Sequence, residues 1–205
     1  MAQRLQGASG VLSMRIRTIF FFLTAIFLAT VLAQPPEAWK QRFVEAERRI
    51  QRLPPTAFVD ELPKQVVEEL QRRGCTIPQG PLPKMPHNAI KGQFAKSSQT
   101  DWAVLCSING VSSILVFWNG SANNPASIAQ REDRTFLQTI SADEIGFSRG
   151  ISPVDKEFIM RHYRAYGGPK PPPIDHQGID DAFIGKASVT WYFFGGKWLG
   201  LQGAD

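Results

Sequence analysis

The side chains best suited to metal binding or acid–base catalysis lie in one short acidic stretch, IDHQGIDD, near the C-terminal end. Carboxylates and an imidazole this close together can bind a divalent cation or act as a general acid and base. The spacing matches neither an EF-hand loop nor an HExxH zinc motif. The alternative is a local role, in which Asp175 or Asp180 caps a short helix that begins near Gly178. The candidate ligands or catalytic groups are Asp175, His176, Asp180 and Asp181.

A second set of candidates is aromatic and lies in the C-terminal hairpin, ASVTWYFFGGKWLGLQ. A turn at Gly195-Gly196 places Phe193 opposite Trp198 on neighbouring strands. Rings on one sheet face form a flat platform for a sugar or a peptide when they are exposed. Exposed apolar patches of that size are rare, so core packing is the favoured interpretation. The platform candidates are Trp191, Phe193 and Trp198.

The familiar catalytic motifs are absent from the sequence. It contains no GxSxG, SxxK, P-loop or GxGxxG pattern and no zinc-type spacing of Cys and His. The sequence therefore assigns no catalytic residue and no cofactor, and it leaves a metal site unknown. His162 falls near the edge of the inner face of a predicted helix, where a hydrogen-bonded structural histidine is commoner than a catalytic one.

The two cysteines, Cys75 and Cys106, predict a structural disulfide. They do not form a CxxC motif, and no histidine is placed beside either of them to activate a thiolate. A catalytic or redox thiol is the alternative. A bridge between them would stabilise the fold by about 3 to 4 kcal/mol in the chain-entropy model.

The N-terminus has the order of a secretory signal peptide. Arg15 and Arg17 precede the apolar run TIFFFLTAIFLATVLA, and Ala33 suits a signal peptidase. The apolar run is short for a membrane span, which needs about 20 residues, so an uncleaved anchor is the alternative. Met14 is a second possible start. We expect a periplasmic or secreted protein that contacts a membrane only if the segment is retained.

Charge and composition narrow the class of partner. The chain has 205 residues and a formal net charge of +5. Residues 1–33 contain three arginines and no acid, so residues 34–205 hold 20 basic and 18 acidic side chains. A nearly neutral remainder does not indicate a nucleic-acid-binding protein. The hydrophobic fraction of 43% is sufficient for a folded core.

Three helices are predicted from the spacing of apolar residues. The first covers residues 37–53 and is amphipathic and basic. The second has Pro63 in its first turn and ends at Gly74. The third begins with Ser152 as its N-cap and ends at Gly167. Its predicted inner face holds Val154, Phe158, Ile159 and Tyr166.

The stretch DWAVLCSINGVSSILVFW predicts a β-hairpin at the centre of the fold. Asn109-Gly110 is a strong two-residue turn signal, and it places Cys106 opposite Ser113. Both faces of the hairpin are apolar, whereas a strand pair with one wet face would alternate apolar and polar residues. We expect an α+β fold in which an antiparallel sheet of about six to seven strands, built on two hairpins, is covered by about three helices.

Several segments resemble a group of uncharacterised exported bacterial proteins. They are ELQRRGCTIPQ, GQFAKSSQTDWAVLCSINGVSSILVFW, ISPVDKEFIMRHYRAYGG and DHQGIDDAF, and the similarity covers about residues 62–205. The resemblance implies a periplasmic or secreted setting and transfers no activity, because none is assigned to the group.

The domain organisation and function expected from the sequence follow from these patterns. Residues 1–33 are a signal peptide, residues 34–56 an amphipathic helical arm and residues 57–205 a single α+β domain. The favoured function is that of a non-enzymatic binding or inhibitor-like module with a protein or glycan partner. The alternative is a metal-dependent or acid–base hydrolase that uses Asp175, His176 and Asp180.

Overall fold

The computed structural model describes residues 36–81 and 86–204. The predicted signal peptide, residues 1–33, lies outside the described residues. The chain divides into two compact units, Met1–Arg42 and Phe43–Asp205. In the described part of the first unit, Lys40 forms an ion pair with Glu37 at 3.1 Å. Among the described residues, none of the helices has the length and apolarity that a membrane crossing requires.

Helix α1 (Pro36–Arg48) is shorter than the predicted helix over residues 37–53. The chain leaves the helix because Arg52–Leu53 forms strand β1, which pairs with β2 (Ile77–Pro78). The Arg52 guanidinium also donates a hydrogen bond to the buried carboxylate of Asp133 at 2.8 Å. Ala46 and Ile50 are buried in the same core cluster as Ile151 and Ile179, so the end of the predicted arm belongs to the second unit.

The larger strands form two four-stranded antiparallel sheets. The α+β class predicted from the sequence is confirmed, but the expected single sheet of six to seven strands is replaced by these two. A further short sheet pairs β7 (Leu137–Thr139) with β8 (Ile145–Phe147). Sheet 1 runs in the order β3 (Ala89–Gly92), β4 (Asp101–Ile108), β5 (Val111–Phe117), β6 (Ala126–Glu132). Sheet 2 runs in the order β9 (Arg149–Val154), β10 (Gly178–Phe183), β11 (Ala187–Phe194), β12 (Lys197–Ala204).

The β4–β5 hairpin has the register predicted from its turn. Cys106 pairs with Ser113, and Ile108 pairs with Val111 across Asn109-Gly110. Each face belongs to a different core cluster, which explains why both are apolar. One face packs with helix α2 (Lys64–Arg72) and consists of Val104, Cys106, Leu115 and Phe117. The other packs against sheet 2 and consists of Ala103, Leu105, Ile114 and Val116.

Sheet 2 is likewise covered on both faces. Its inner face contributes Ile151 and Ile179 to the core that it shares with sheet 1. Its outer face contributes Tyr192 and Leu201 to a separate cluster with helix α3 (Lys156–Tyr166). The four packed layers are therefore α2, sheet 1, sheet 2 and α3.

Helix α3 begins later than its sequence pattern predicts. Ser152 was the expected N-cap, but it lies in β9, where it pairs with Asp180. The N-cap is Asp155, whose side chain accepts a hydrogen bond from Phe158 N at 2.7 Å. The predicted end is confirmed, because Gly167 adopts a φ of 78° and caps the helix.

Candidate functional site

The α3 cleft is an open cavity of about 370 Å³ between helix α3 and the β10–β11 hairpin. Alternation along β10 places Asp180 and Ala182 toward the helix, while Asp181 faces sheet 1. The helix lines one wall with Phe158, Arg161, His162, Ala165 and Tyr166. The hairpin lines the other with Asp180, Ala182, Phe183, Ile184, Gly185, Ala187 and Ser188.

Three rings on α3 form an aromatic ladder, which consists of Phe158, His162 and Tyr166. They stand four residues apart, so they lie on one face of the helix. The ring centroids of Phe158 and His162 are 6.0 Å apart, and those of His162 and Tyr166 are 5.0 Å apart. The wall of the cleft that α3 forms is therefore a continuous row of aromatic rings.

His162 is the central ring of the ladder and only 6% of its surface is exposed. Its ring lies directly over the backbone of Gly203 on β12, where a Cβ atom would come within 2.6 Å of Nε2. Within the described residues, Nε2 has no hydrogen-bond partner. The sequence predicted a hydrogen-bonded structural histidine near the edge of the inner face of the helix. The side chain is more deeply buried than that, and its Nε2 is unpaired.

Asp180 supplies the carboxylate of the cleft. Burial raises its pKa above the usual range of a carboxyl group, and the neighbouring Asp181 acts in the same direction. The hydroxyl of Ser188, the imidazole of His162 and the hydroxyl of Thr190 oppose this rise. The Thr190 hydroxyl donates to Oδ1 at 3.4 Å. In residues 36–81 and 86–204, Asp180 forms no salt bridge.

The rim of the cleft is apolar and carries cations. Tyr166 is 51% exposed and Ile184 is 46% exposed, which makes them two of the exposed large apolar side chains of the described chain. The Arg161 guanidinium lies 5.8 Å from the Phe158 ring centroid. On the opposite wall, the Lys186 ammonium lies 5.0 Å from the centroid of Phe183.

The acidic stretch predicted from the sequence is divided between different environments. Asp175 and His176 line a separate cavity of about 230 Å³, whereas Asp180 lines the α3 cleft. Asp175 accepts a hydrogen bond from the Ser97 hydroxyl at 3.2 Å. The helix expected near Gly178 is not formed, because this residue begins strand β10. No group of three His, Cys, Asp or Glu side chains in the described part of the chain is arranged to hold a metal ion.

Asp181 is part of a buried ion pair rather than of an open site. Both of its oxygens accept hydrogen bonds from Arg149, at 2.8 and 2.9 Å. The same guanidinium donates to the Ser112 hydroxyl on β5 at 2.8 Å and to the Ala129 carbonyl on β6 at 2.6 Å. Ala129 lies in a bulge of β6 with a φ of 56°. The pair joins sheet 2 to two strands of sheet 1.

The predicted aromatic residues lie partly buried between the sheets. Phe193 pairs with Trp198 in the predicted register, and their ring centroids are 5.6 Å apart. Both also contact Trp118 at the end of β5, at 4.9 and 5.9 Å. Trp191 packs on the shared core and lines a cavity of about 420 Å³. The arrangement resembles core packing more than an exposed platform.

The predicted disulfide between Cys75 and Cys106 is formed, with a Cα–Cα distance of 5.2 Å. Gly74 ends α2 with a φ of 72°, and Cys75 N donates to the Leu70 carbonyl at 2.9 Å, as in a Schellman motif. The turn directs the Cys75 side chain toward β4. The bridge thus fixes the end of α2 on sheet 1.

Comparisons with known proteins add no family to this geometry. No family model matches the chain, and neither a curated protein nor a solved structure matches it. The α3 cleft was missed in the sequence because Asp180 and His162 are 18 positions apart and meet only when α3 packs on sheet 2. The spacing of Phe158, His162 and Tyr166 is the one signal in the sequence that pointed to the ladder.

Proposed function

We propose that the chain is an exported, non-catalytic binding module and that the α3 cleft is its ligand site. The observation that carries the proposal is that the Asp180 carboxylate lines the cavity without a salt bridge, opposite the aromatic ladder whose central residue, His162, has an unpaired Nε2 among the described residues. Buried polar groups are nearly always paired, so an unpaired imidazole nitrogen and a partly buried carboxylate without a salt bridge around one cleft favour recognition of an external group. A cleft of about 370 Å³ suits a small molecule or one residue of a protein or glycan partner.

Non-catalytic binding is favoured over hydrolysis by the separation of the acidic stretch. A general acid and base must both reach the reacting group. Asp175 and His176 line one cavity and Asp180 lines another, so the three do not act on one bound substrate. A module that binds through Asp180 needs only the α3 cleft.

Export is supported by three features of the chain. The Cys75–Cys106 disulfide is of the kind that persists in an oxidising compartment. Residues 1–33 have the order of a signal peptide, and the resemblance over residues 62–205 is to exported proteins. We expect a periplasmic or secreted protein that begins at Gln34, which intact mass spectrometry of the exported product tests. A product that retains residues 18–33 would indicate an uncleaved anchor instead.

The binding function is tested by filling the cleft with a side chain from α3. Ala165 is exposed and lines the cleft, so Ala165→Trp should occupy it without disturbing the core. Arg164→Trp adds the same ring at a neighbouring exposed position outside the lining and is the matched control. Ligand-observed NMR on the exported protein should detect binding from a panel of amines, carboxylates, sugars and dipeptides.

The two variants give opposite expected results. At least one class in the panel should bind the native protein and Arg164→Trp but not Ala165→Trp, with circular dichroism unchanged in both variants. Equal binding by Ala165→Trp would place the ligand elsewhere. A panel in which nothing binds the native protein would overturn the function of the cleft.

A further inference from the structure

The lining of the α3 cleft combines a carboxylate with aromatic rings, which is the chemistry of organic-cation recognition. We infer that the ligand presents an alkylammonium group to Asp180, with its apolar part against the aromatic ladder. This inference rests on the proposed function, because it names the ligand class of the same cleft.

The charge of the lining points to a cation. Asp180 is the one acidic residue that lines the cleft in the described part of the chain. It is held partly out of water without a salt bridge, and a bound ammonium group would supply the ion-pair partner that the described residues do not. The Coulomb attraction between opposite charges is several times stronger near a partly buried carboxylate than in bulk water.

Arg161 does not cancel this attraction. Its side chain is exposed at the rim and its guanidinium lies beside the Phe158 ring rather than in a salt bridge with Asp180. Exposed charges are screened by salt much more than partly buried ones. The balance of the lining therefore favours a cationic group at Asp180.

The rings provide a second, independent reason for a cation. Aromatic faces attract ammonium groups through the ring quadrupole. Two rings of this cleft, Phe158 and Phe183, already hold protein cations at 5.8 and 5.0 Å. The exposed ring of Tyr166 has no such cation in the described residues and stands at the rim, where a ligand enters.

An inorganic divalent cation is the less suitable occupant. Metal sites for hard cations need several oxygen ligands. The described residues hold no group of three suitable acidic, histidine or cysteine side chains. One carboxylate with an aromatic wall instead matches a substituted ammonium group.

The test compares three probes of equal chain length, which are butylammonium, 1-butanol and butanoate. NMR titration of the exported, oxidised protein at pH 7 should give butylammonium an affinity about tenfold or more above that of the other two. Asp180→Asn keeps the shape and removes the charge, so it should weaken butylammonium by about tenfold and leave 1-butanol unchanged. Asp143→Asn, the same exchange at an exposed position outside the cleft lining, is the matched control and should bind butylammonium as well as the native protein.

Tyr166→Leu keeps the test decisive if Asp180→Asn fails to fold. This exposed position tolerates substitution, and loss of the ring should weaken butylammonium several-fold without affecting 1-butanol. Equal or tighter binding of 1-butanol or butanoate would overturn the ammonium class, as would no binding of butylammonium at all. If those probes bind and Ala165→Trp removes their binding, the cleft remains a binding site and only the ligand class is wrong.

Discussion

Asp180 is a carboxylate that the fold holds partly out of water without a salt bridge in the described residues. Burial penalises its charged form, and the hydroxyls of Ser188 and Thr190 offset that penalty only in part, because the pKa remains raised. A residue of this kind costs stability when it is ionised. Such a cost is common at functional sites, where a ligand is needed to complete the electrostatics.

The pH dependence of stability follows from the direction of this shift. The native protein holds the Asp180 proton more tightly than the unfolded chain does, so the free energy of unfolding should fall as pH rises from about 4 through the raised pKa. Asp180→Asn should lack this fall and be more stable at pH 7 by under about 1 kcal/mol, since partial exposure screens the charge. Urea unfolding across pH measures it, with the exposed Asp143→Asn as control. If the free energy of unfolding of Asp180→Asn fell with pH as steeply as that of the native protein, the fall would not come from Asp180.

At the scale of elements, the Schellman turn at Gly74 and the disulfide act together. The turn ends α2 and the bridge joins the next residue to Cys106 in the central strand. Beyond the bridge, Thr76 and Ser107 exchange backbone hydrogen bonds at 2.9 and 2.8 Å. The helix end is thus held on sheet 1 by one covalent and two backbone links.

Removal of the bridge should weaken the whole unit rather than α2 alone. We expect Cys75→Ala/Cys106→Ala to lower the free energy of unfolding by about 3 kcal/mol, because a closed chain segment loses less entropy on folding. Urea unfolding of the variant and of the native protein, with and without reductant, measures the effect. The variant should not respond to reductant. A loss below about 1 kcal/mol would mean that the packing of α2 is sufficient by itself.

Elements whose signals are local could be predicted from the sequence. The register of β4 and β5 follows from Asn109-Gly110, and the end of α3 follows from Gly167. The start of α3 could not be predicted, because Ser152 is a good N-cap by type but pairs with Asp180 in sheet 2. Tertiary pairing overrides a local preference there. The same pairing placed Asp180 in a strand where a helix start was expected.

At the scale of the molecule, the division into two sheets depends on contacts between distant segments. Apolar residues on both faces of a hairpin show that two layers cover it, but they do not show whether the second layer is a helix or a sheet. Arg149 links the two sheets, since it is fully buried and bonds to Asp181, Ser112 and Ala129. Arginine is usually exposed in folded proteins, so the sequence did not predict that Arg149 would be buried in the core.

Loss of Arg149 should destabilise the sandwich because it leaves Asp181 buried without a partner. Arg149→Met is expected to cost about 3 to 5 kcal/mol, and adding Asp181→Leu should recover about half of that or more. The exposed Arg131→Met is the matched control, with a change within about 0.5 kcal/mol. Urea unfolding of the native protein, Arg149→Met, Asp181→Leu and the double variant gives the coupling energy. Additive effects of the two core substitutions would mean that the residues do not act as a pair.

The contact between His162 and Gly203 has a consequence for how this cleft can change over generations. Because the imidazole lies where a Cβ atom at position 203 would be, the two positions share one volume. A lineage can replace the histidine first by a smaller residue and then gain a side chain at 203. A larger residue cannot be gained at position 203 while the histidine is present, because its side chain would clash with the imidazole ring. Descendants of this chain should therefore lose the histidine before they lose the glycine.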